Sequence, residues 1–490
     1  MRNWRRWVLA GLVLLAWWLR LRGLFANTFH ADEALFASWA RLIAVWRDPL
    51  LATQAVDKPP LLFYLQALFY PLLGPVEWAA RLPNFIASLL LVPLMGVFVL
   101  RIAYCVRPSR YAIRNTQYVA TAVVAFSPLA IQFSATAFTD PLLTFWLLGA
   151  VTAVSSSHIL IASFLFSLAL ATKYQAVLFL PLIVGLGWLA GWRGRQWLVW
   201  LVGLLPGLAL VGLWEWARTG TFSLWSAQVN NYGGLRLAWS WELWPRLRDW
   251  AALWGTAVPL YLLPFILLLF LALFLRGWRA GDADGRMDIL LILFVTGYFL
   301  LHWFLAVPVW DRYLLPVLPV VAALIGRGLG RYGDIGVLGY RDIGNVNIPI
   351  PQYPISTLFL LLLLFAAVPA RYGRYPVGGR AGADQGAGAI AQYLADAPYG
   401  TVLYDHWYSW QWRYHLFDKR VYVSWFPHGA ALAENLQVFG RDGNPRYVAL
   451  PDTAVSQPIQ RAIREAGFQL RPIANEGKIT LYQIIPAEAP

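Results

Sequence analysis

The sequence predicts a polytopic α-helical membrane protein that ends in a small α/β domain. Of its 490 residues, 59% are hydrophobic and only 13% are charged, well below the roughly 25% charged residues of soluble proteins. Apolar runs of about 20 residues, the length that crosses a bilayer, recur from the N-terminus to near residue 370. Beyond residue 388, short β-branched and aromatic runs alternate with helical patterns, which is typical of an α/β domain.

The apolar runs predict about eleven transmembrane helices. The first, 7–19, lies between Arg2, Arg5 and Arg6 on one side and Arg20 and Arg22 on the other. No small-residue cleavage site follows it, which favours an uncleaved helix over a signal peptide. The other ten are expected near 82–102, 118–136, 141–156, 158–172, 175–190, 196–216, 251–275, 288–305, 313–326 and 355–370.

The distribution of arginine predicts the orientation of these helices. Alternating sides from a cytoplasmic N-terminus places most arginine-rich connections inside, in agreement with the positive-inside rule. The same count places a long first loop, 25–81, outside, with two interfacial helices in it. We therefore predict a transmembrane domain over 1–370, a Gly- and Arg-rich linker over 371–388 and an external α/β domain over 389–490.

Composition argues against several other classes of protein. The net charge of +14 comes from arginines dispersed over short connections, which favours contact with anionic membrane lipids over nucleic-acid binding. The lone Cys105 rules out an internal disulfide framework and a cysteine-based metal site. No P-loop is present in the sequence, which argues against an ATP-driven pump.

Two clusters of charge in the first external loop are candidates for chemistry. Asp32 and Glu33 follow the first helix, where a carboxylate could take a proton from a hydroxyl nucleophile. Asp32 could equally cap the helix that is expected near Ala34. Asp57 and Lys58 precede two prolines that fix the backbone and start a helix, an arrangement suited to an anionic phosphate. A surface ion pair with headgroup contact is the alternative.

Three further charged residues interrupt apolar runs, and ionisable groups at membrane depth are costly and usually functional. Asp140 begins one helix, whereas Lys173 and Arg312 lie at predicted outer helix ends. By helix count all three reach the same face as Lys58. Capping by Asp140 and snorkelling by the two cations are the structural alternatives to convergence on one phosphate.

These residues resemble the motifs of the GT-C membrane glycosyltransferases, in the branch of protein O-mannosyltransferases and aminoarabinose lipid A transferases. The motifs occur in the order expected over residues 1–370. They are Asp32-Glu33, Asp57-Lys58-Pro59-Pro60-Leu61, Arg81-Leu82-Pro83, Thr139-Asp140, Thr172-Lys173 and Arg312-Tyr313-Leu314-Leu315-Pro316.

The resemblance implies a polyprenyl-phosphate-linked sugar donor and a single inverting displacement. It implies that Asp32 is the base that activates the acceptor hydroxyl, with Glu33 in support and Asp140 as the second carboxylate. Lys58 and Arg312 match residues that hold the lipid phosphate, and Lys173 is a third cation for it. Asp57 stands where relatives often have Glu, a possible ligand of a divalent metal ion. In relatives that bind metal, a histidine of a later external loop completes the site, and the loop near 217–250 contains no histidine.

We therefore expect a hexosyl or pentosyl transferase in a bacterial inner membrane, multi-pass, with its active site on the external face. The acceptor is a hydroxyl of a lipid, a glycan or a protein, and the sequence does not choose among them. A lipid or glycan transporter is the main alternative. A transporter is expected to show charges near helix centres and repeated halves, whereas here the charges lie at helix ends and no repeat is evident.

Overall fold

The structure is a computed structural model that describes residues 4–106, 110–218, 236–332 and 354–487. It divides into two compact units. The first consists of Met1–Ala26 and Leu42–Arg380, and the second of Asn27–Arg41 and Ala381–Pro490. The second unit therefore contains a short segment of the loop that was predicted to be external, as well as the C-terminal domain.

Helices make up most of the first unit. We number the helices up to residue 380 in chain order: α1 (Trp4–Ala26), α2 (Ala31–Ala44), α3 (Leu61–Ala67), α4 (Tyr70–Leu73), α5 (Glu77–Val106), α6 (Arg110–Phe126), α7 (Pro128–Ser134), α8 (Thr139–Ser155), α9 (Ile159–Thr172), α10 (Leu180–Leu189), α11 (Gly194–Ala217), α12 (Ser240–Ala257), α13 (Leu263–Ala280), α14 (Ala283–Phe304), α15 (Leu318–Tyr332) and α16 (Pro354–Arg371). Short 3-10 helices cover Tyr174–Phe179, Leu260–Leu262 and Asp311–Leu314.

Among the described residues, five helices are long and apolar enough to cross a membrane. They are Trp7–Ala26, Glu77–Ala103, Gly194–Ala217, Leu260–Ala280 and Ala283–Phe304. A bent pair, Thr116–Phe126 with Pro128–Ser134, makes a sixth candidate span. Five shorter apolar helices follow the predicted pattern at Leu61–Leu73, Thr139–Ser155, Ile159–Thr172, Tyr174–Leu189 and Ile355–Arg371. The helical membrane class is confirmed, and the count of eleven crossings stays a prediction.

The segment predicted as one helix over 118–136 is broken. Pro128 has no N–H to donate, and the chain bends by 54° between the two halves. The Arg20 side chain, which is only 1% exposed, donates to the carbonyls of Val124 at 3.0 Å and Ala125 at 2.8 Å. Arg20 was expected to flank the first helix, and it lies instead inside α1, where its charge satisfies the carbonyl end of α6.

The prediction of a single helix over 251–275 is wrong. Helix α12 ends at Ala257 and the next helical turn begins at Leu260. Proline disfavours a helical conformation for the residue before it, and Val258 before Pro259 is extended, with φ −139° and ψ 132°. The apolar run therefore contains the end of one helix and the start of another.

Buried ion pairs tie α14 to α15. Arg327 donates to Asp288 Oδ1 at 2.5 Å and to Asp284 Oδ1 at 2.6 Å. Arg331 donates to Asp288 Oδ2 at 2.6 Å and also pairs with Asp284. Each charge has an opposite charge as its partner, which is the usual condition for charges in such surroundings.

The C-terminal domain is a five-stranded sheet with helices between its strands. The strands are β1 (Thr401–Asp405), β2 (Val421–Trp425), β3 (Arg446–Pro451), β4 (Phe468–Glu476) and β5 (Ile479–Pro486), in the order β2-β1-β3-β5-β4. The helices are α17 (Ala387–Tyr393), α18 (Ser409–His415), α19 (Gly429–Phe439) and α20 (Gln457–Glu465). Strand β1 pairs in parallel with β2 and β3, and β5 pairs antiparallel with β3 and β4.

This domain confirms the predicted alternation of strands and helices. The four strands expected from the sequence are present as β1, β2, β3 and β5, and the three expected helices are present as α17, α19 and α20. Strand β4 and helix α18 were not predicted. Strand β4 is mostly exposed and contains Pro472, where its register shifts, so it lacks the apolar alternation that identifies a strand.

Candidate functional site

Lys58 and Asp57 lie in the loop that leads into α3. Pro60 is the N-cap of α3 and the helix begins at Leu61, so the prolines start a helix as the sequence predicts. The side chains of Lys58 and Asp57 form an ion pair, and Lys58 is buried with 7% of its surface exposed. The Lys58 ammonium, paired with the Asp57 carboxylate, is therefore buried, whereas the alternative interpretation of the sequence was an exposed surface ion pair.

Asp140 is in the first turn of α8 and is only 1% exposed. The extended segment before it is held by Asn84, whose amide donates to the carbonyls of Thr136 at 2.8 Å and Phe138 at 2.6 Å. Asp140 is not the N-cap of α8, since Phe138 occupies that position. The Asp140 carboxylate therefore does not cap α8.

The Asp140 carboxylate forms an ion pair with Lys173. The Lys173 Nζ atom lies 2.6 Å from Asp140 Oδ1. Lys173 has extended backbone between α9 and the 3-10 helix Tyr174–Phe179, and this break directs its side chain away from the helix axis. Only 7% of its surface is exposed. The structural alternative for Lys173 was snorkelling to water. In the structure its side chain is instead buried in an ion pair with Asp140.

Arg312 lies on the short 3-10 helix Asp311–Leu314. Its guanidinium stacks 4.0 Å from the ring centroid of Trp310 and 5.3 Å from that of Phe138. Asp311 fixes this turn, because its carboxylate accepts from the backbone N–H of Arg312 and of Gly378, each at 2.7 Å. Burial raises the pKa of Asp311, and the two N–H donors and Arg312 oppose that shift.

Tyr298, on α14, connects the turn of Lys173 to the turn of Arg312. Its hydroxyl donates to the carbonyl of Tyr313 at 2.7 Å and accepts from the Gln175 amide at 2.5 Å. The Tyr313 ring in turn lies beneath Lys173, with Nζ 4.9 Å from the ring centroid. One buried phenol thus links the Gln175 side chain, two positions after Lys173, to the backbone of Tyr313, next to Arg312.

The electrostatic state of Lys173 shows that the cations act on one another. Burial lowers the pKa of Lys173 to about 8. Asp140 opposes this shift, whereas the positive charges of Arg312 and Lys58 add to it. Three predicted phosphate-binding cations are therefore close enough to interact, and two carboxylates are paired among them, Asp57 with Lys58 and Asp140 with Lys173. A cluster of this kind is suited to an anion that brings more negative charge.

Asp32 and Glu33 belong to the second unit, unlike the other predicted site residues. Helix α2 begins at Ala31. Glu33 is fully buried, and its Oε2 atom accepts from the His30 backbone N–H at 3.0 Å. His30 Nδ1 accepts from the Asp32 backbone N–H at 3.2 Å. The capping that the sequence allowed for Asp32 is thus performed by His30 and Glu33, and the Asp32 side chain is half-buried in the first helical turn.

The residues around Asp57 do not fit a metal centre. Across the ranges that the structure describes, no three His, Cys, Asp or Glu side chains group as metal ligands would. The Asp57 carboxylate is already paired with an ammonium, which a divalent cation would have to displace.

Sequence reasoning missed the residues that position the charges. Asn84, Gln175, Tyr298 and Asp311 hold the turns on which Asp140, Lys173 and Arg312 lie. Each is a polar residue within or beside an apolar run. That signal could have identified them, because a buried polar side chain must find a hydrogen-bond partner.

A family profile and several solved structures are similar to this chain. The family profile described as "Dolichyl-phosphate-mannose-protein mannosyltransferase" matches residues 57–216, a segment that includes Asp57, Lys58, Asp140 and Lys173. ArnT from Cupriavidus metallidurans is similar over 97% of both chains in the apo state, with 14% identity and a TM-score of 0.64. No curated protein sequence matches the chain significantly.

The chain has the GT-C fold. The resemblance predicted from its motifs is confirmed at this level. ArnT from Cupriavidus metallidurans bound to undecaprenyl phosphate is similar over 99% of this chain and 98% of that one, with 15% identity and a TM-score of 0.59. The Archaeoglobus fulgidus oligosaccharyltransferase in complex with Zn and sulfate covers 98% of this GT-C chain and is itself covered over 73%, with 11% identity and a TM-score of 0.54.

Proposed function

We propose that this GT-C protein is an inverting glycosyltransferase that moves a sugar from a polyprenyl-phosphate donor to a hydroxyl acceptor. The observation that carries the proposal is the buried Lys173–Asp140 pair, with Lys58 and Arg312 close enough to act on it. The fold match to a protein whose structure holds undecaprenyl phosphate supports the donor class. We further propose eleven crossings, with the reaction on the external face of a bacterial inner membrane.

The proposed reaction is a single displacement. The acceptor oxygen attacks the anomeric carbon of the sugar while the bond from that carbon to the phosphate oxygen breaks. Asp32 takes the proton of the acceptor hydroxyl, and the polyprenyl phosphate leaves with the bonding electron pair. The configuration at the anomeric carbon is inverted, because attack and departure occur on opposite faces.

Cations neutralise the leaving phosphate in this scheme. The leaving group is a phosphate and needs charge neutralisation rather than a proton. Lys58, Lys173 and Arg312 supply that charge, and the stacked aromatic rings around Arg312 restrict its orientation. Asp140 holds Lys173 in place by their ion pair. Glu33 has a positioning role, since its carboxylate closes the first turn of the helix that carries Asp32.

The test is transfer of radiolabelled sugar from mixed polyprenyl-phosphate donors in membranes. Asp32→Asn and Lys58→Ala are expected to abolish label transfer at unchanged expression. Lys419→Ala, at an exposed lysine of the C-terminal domain, is the matched control and should transfer as the wild type does. Full transfer by Asp32→Asn would refute the assignment of the base.

A binding experiment separates the phosphate site from the chemistry. Undecaprenyl phosphate should raise the melting temperature of the detergent-solubilised wild type and of Asp32→Asn, but not of Lys58→Ala. If the lipid stabilises all three equally, Lys58 does not hold the phosphate. A transporter would instead move labelled donor across a liposome membrane without forming a glycosylated product.

A further inference from the structure

The segment Asn27–Arg41 forms one compact unit with the C-terminal domain, Ala381–Pro490. The two parts are far apart in sequence, and two groups of contacts join them, one on either side of Asp32 and Glu33. Nothing in the sequence indicates this association, because the segment belongs to the first external loop.

The first group of contacts precedes Asp32. The Phe29 side chain is fully buried, and its ring packs edge-on against Tyr414 of α18 at 4.9 Å between centroids. Thr28 Oγ1 accepts from the Asp384 backbone N–H at 3.3 Å. Asp384 is itself fixed, since its carboxylate accepts from the backbone N–H groups of Gly386 and Gly388 at the start of α17.

The second group of contacts follows Asp32 on the same helix. Arg41 donates to the Tyr414 carbonyl at 2.9 Å and pairs with the Asp418 carboxylate. Its guanidinium lies 4.4 Å from the Phe417 ring centroid. The Arg41 side chain is 11% exposed, whereas that of Asp418 is 63% exposed. The stack and the carbonyl bond therefore matter more here than the ion pair, which solvent weakens.

We propose that the C-terminal domain positions the segment that carries the candidate base, and that Arg41 is the positioning residue. This inference rests on the proposed function for the role of Asp32. The domain contacts the chain at Thr28 and Phe29 before Asp32 and at Arg41 after it. Between these two groups of contacts the His30–Glu33 cap fixes the first helical turn, so the backbone that carries Asp32 is fixed on both sides.

Hydrogen–deuterium exchange of the full-length protein tests, independently of activity, whether the C-terminal domain holds residues 27–41. Arg41→Ala should increase amide exchange in residues 27–41 and leave residues 57–73 as in the wild type. Asp418→Ala, at a mostly exposed side chain, should have a smaller effect of the same kind and guards against a folding failure of Arg41→Ala. Unchanged exchange in residues 27–41 for both variants would overturn the proposal.

Kinetics then test the consequence for chemistry. Arg41→Ala should lower kcat at least tenfold, with the stabilisation by undecaprenyl phosphate unchanged. Arg41→Lys should recover part of kcat, because an ammonium can still donate to the Tyr414 carbonyl and contact the Phe417 ring, and Lys419→Ala should match the wild type. Increased exchange with normal kcat would show that the contact of Arg41 with the C-terminal domain does not position a catalytic group. Should Asp32→Asn prove fully active, the proposed function fails, whereas the exchange result still reports whether the domain holds the segment.

Discussion

Lys173 and Asp140 lie 33 positions apart in sequence, and their side chains meet in a buried ion pair of 2.6 Å. The pair joins the end of α9 to the first turn of α8. Removing one partner leaves an uncompensated buried charge, which costs roughly 3–5 kcal/mol. The pair can therefore be tested for stability and for activity separately.

Lys173→Met should reduce stability and abolish transfer. Asp140→Leu with Lys173→Met should recover most of the lost stability, because replacing both charges with apolar groups is about neutral for a buried pair, while transfer stays absent. The measurement is thermal unfolding in detergent together with label transfer. A double variant as unstable as Lys173→Met would show that the two charges do not stabilise each other.

The lowered pKa of Lys173 predicts an alkaline limb in the pH profile. Burial is the main cause, and the pKa is about 8. A lysine binds phosphate in its protonated form, whose fraction falls as the pH rises through 8. The value of kcat/KM, which reports the free enzyme, should therefore decline above about pH 8. Lys173→Arg should move this limb to higher pH, because arginine stays charged. An unchanged limb in that variant would assign the titration to another group.

Loss of the Tyr298 hydroxyl should weaken donor binding without unfolding the helices. Tyr298→Phe keeps the ring and removes the hydrogen bonds to Gln175 and to the Tyr313 carbonyl. Each of the two bonds contributes about 1 kcal/mol, so the KM for the donor should rise by up to about thirtyfold while the KM for the acceptor stays constant. Gln175→Leu should show a smaller effect in the same direction. Equal changes in both KM values would indicate a general loss of structure.

The sequence drew attention to the charged residues of the candidate site but not to the residues that hold them. Asp57, Lys58, Asp140, Lys173 and Arg312 are conspicuous because ionisable groups rarely interrupt apolar runs. Of their supporting residues, Asn84, Gln175 and Tyr298 are uncharged polar residues, which are a weaker signal in an apolar run than a charge is. Backbone contacts such as that of Tyr298 with the Tyr313 carbonyl also carry no sequence signal.

The same limit explains the errors in the fold. The helix break at Pro259 lies within an apolar run, and hydropathy averages across it. The association of Phe29 with Tyr414 joins distant parts of the chain and depends on tertiary packing alone. Periodicity, in contrast, predicted the strands of the C-terminal domain, because their apolar residues alternate locally.

Arg20 should contribute more to stability than any surface arginine. Its guanidinium bonds the carbonyls of Val124 and Ala125, and Ser88 Oγ at 3.1 Å. Arg20→Met would leave two buried carbonyls without these donors, at about 1–3 kcal/mol each. Arg22→Met, two positions away at an exposed site, is the control and should cost less than about 1 kcal/mol. Similar melting temperatures for the two variants would contradict the role assigned to Arg20.

His415 should make the C-terminal domain sensitive to acid. Burial lowers its pKa to about 4, Asp384 opposes the shift and Arg41 adds to it. The ordinary value is near 6.5, so the unfolded chain binds a proton at a pH where the folded domain does not. The stabilising effect of the neutral ring is complete above pH 6.5. It is lost as the pH falls toward 4, up to about 3 kcal/mol. The amide protection factors in residues 381–487, which correct for the slower intrinsic exchange at low pH, should therefore fall between pH 6.5 and 4 in the wild type, and less steeply in His415→Gln. Equal slopes would show that another group titrates.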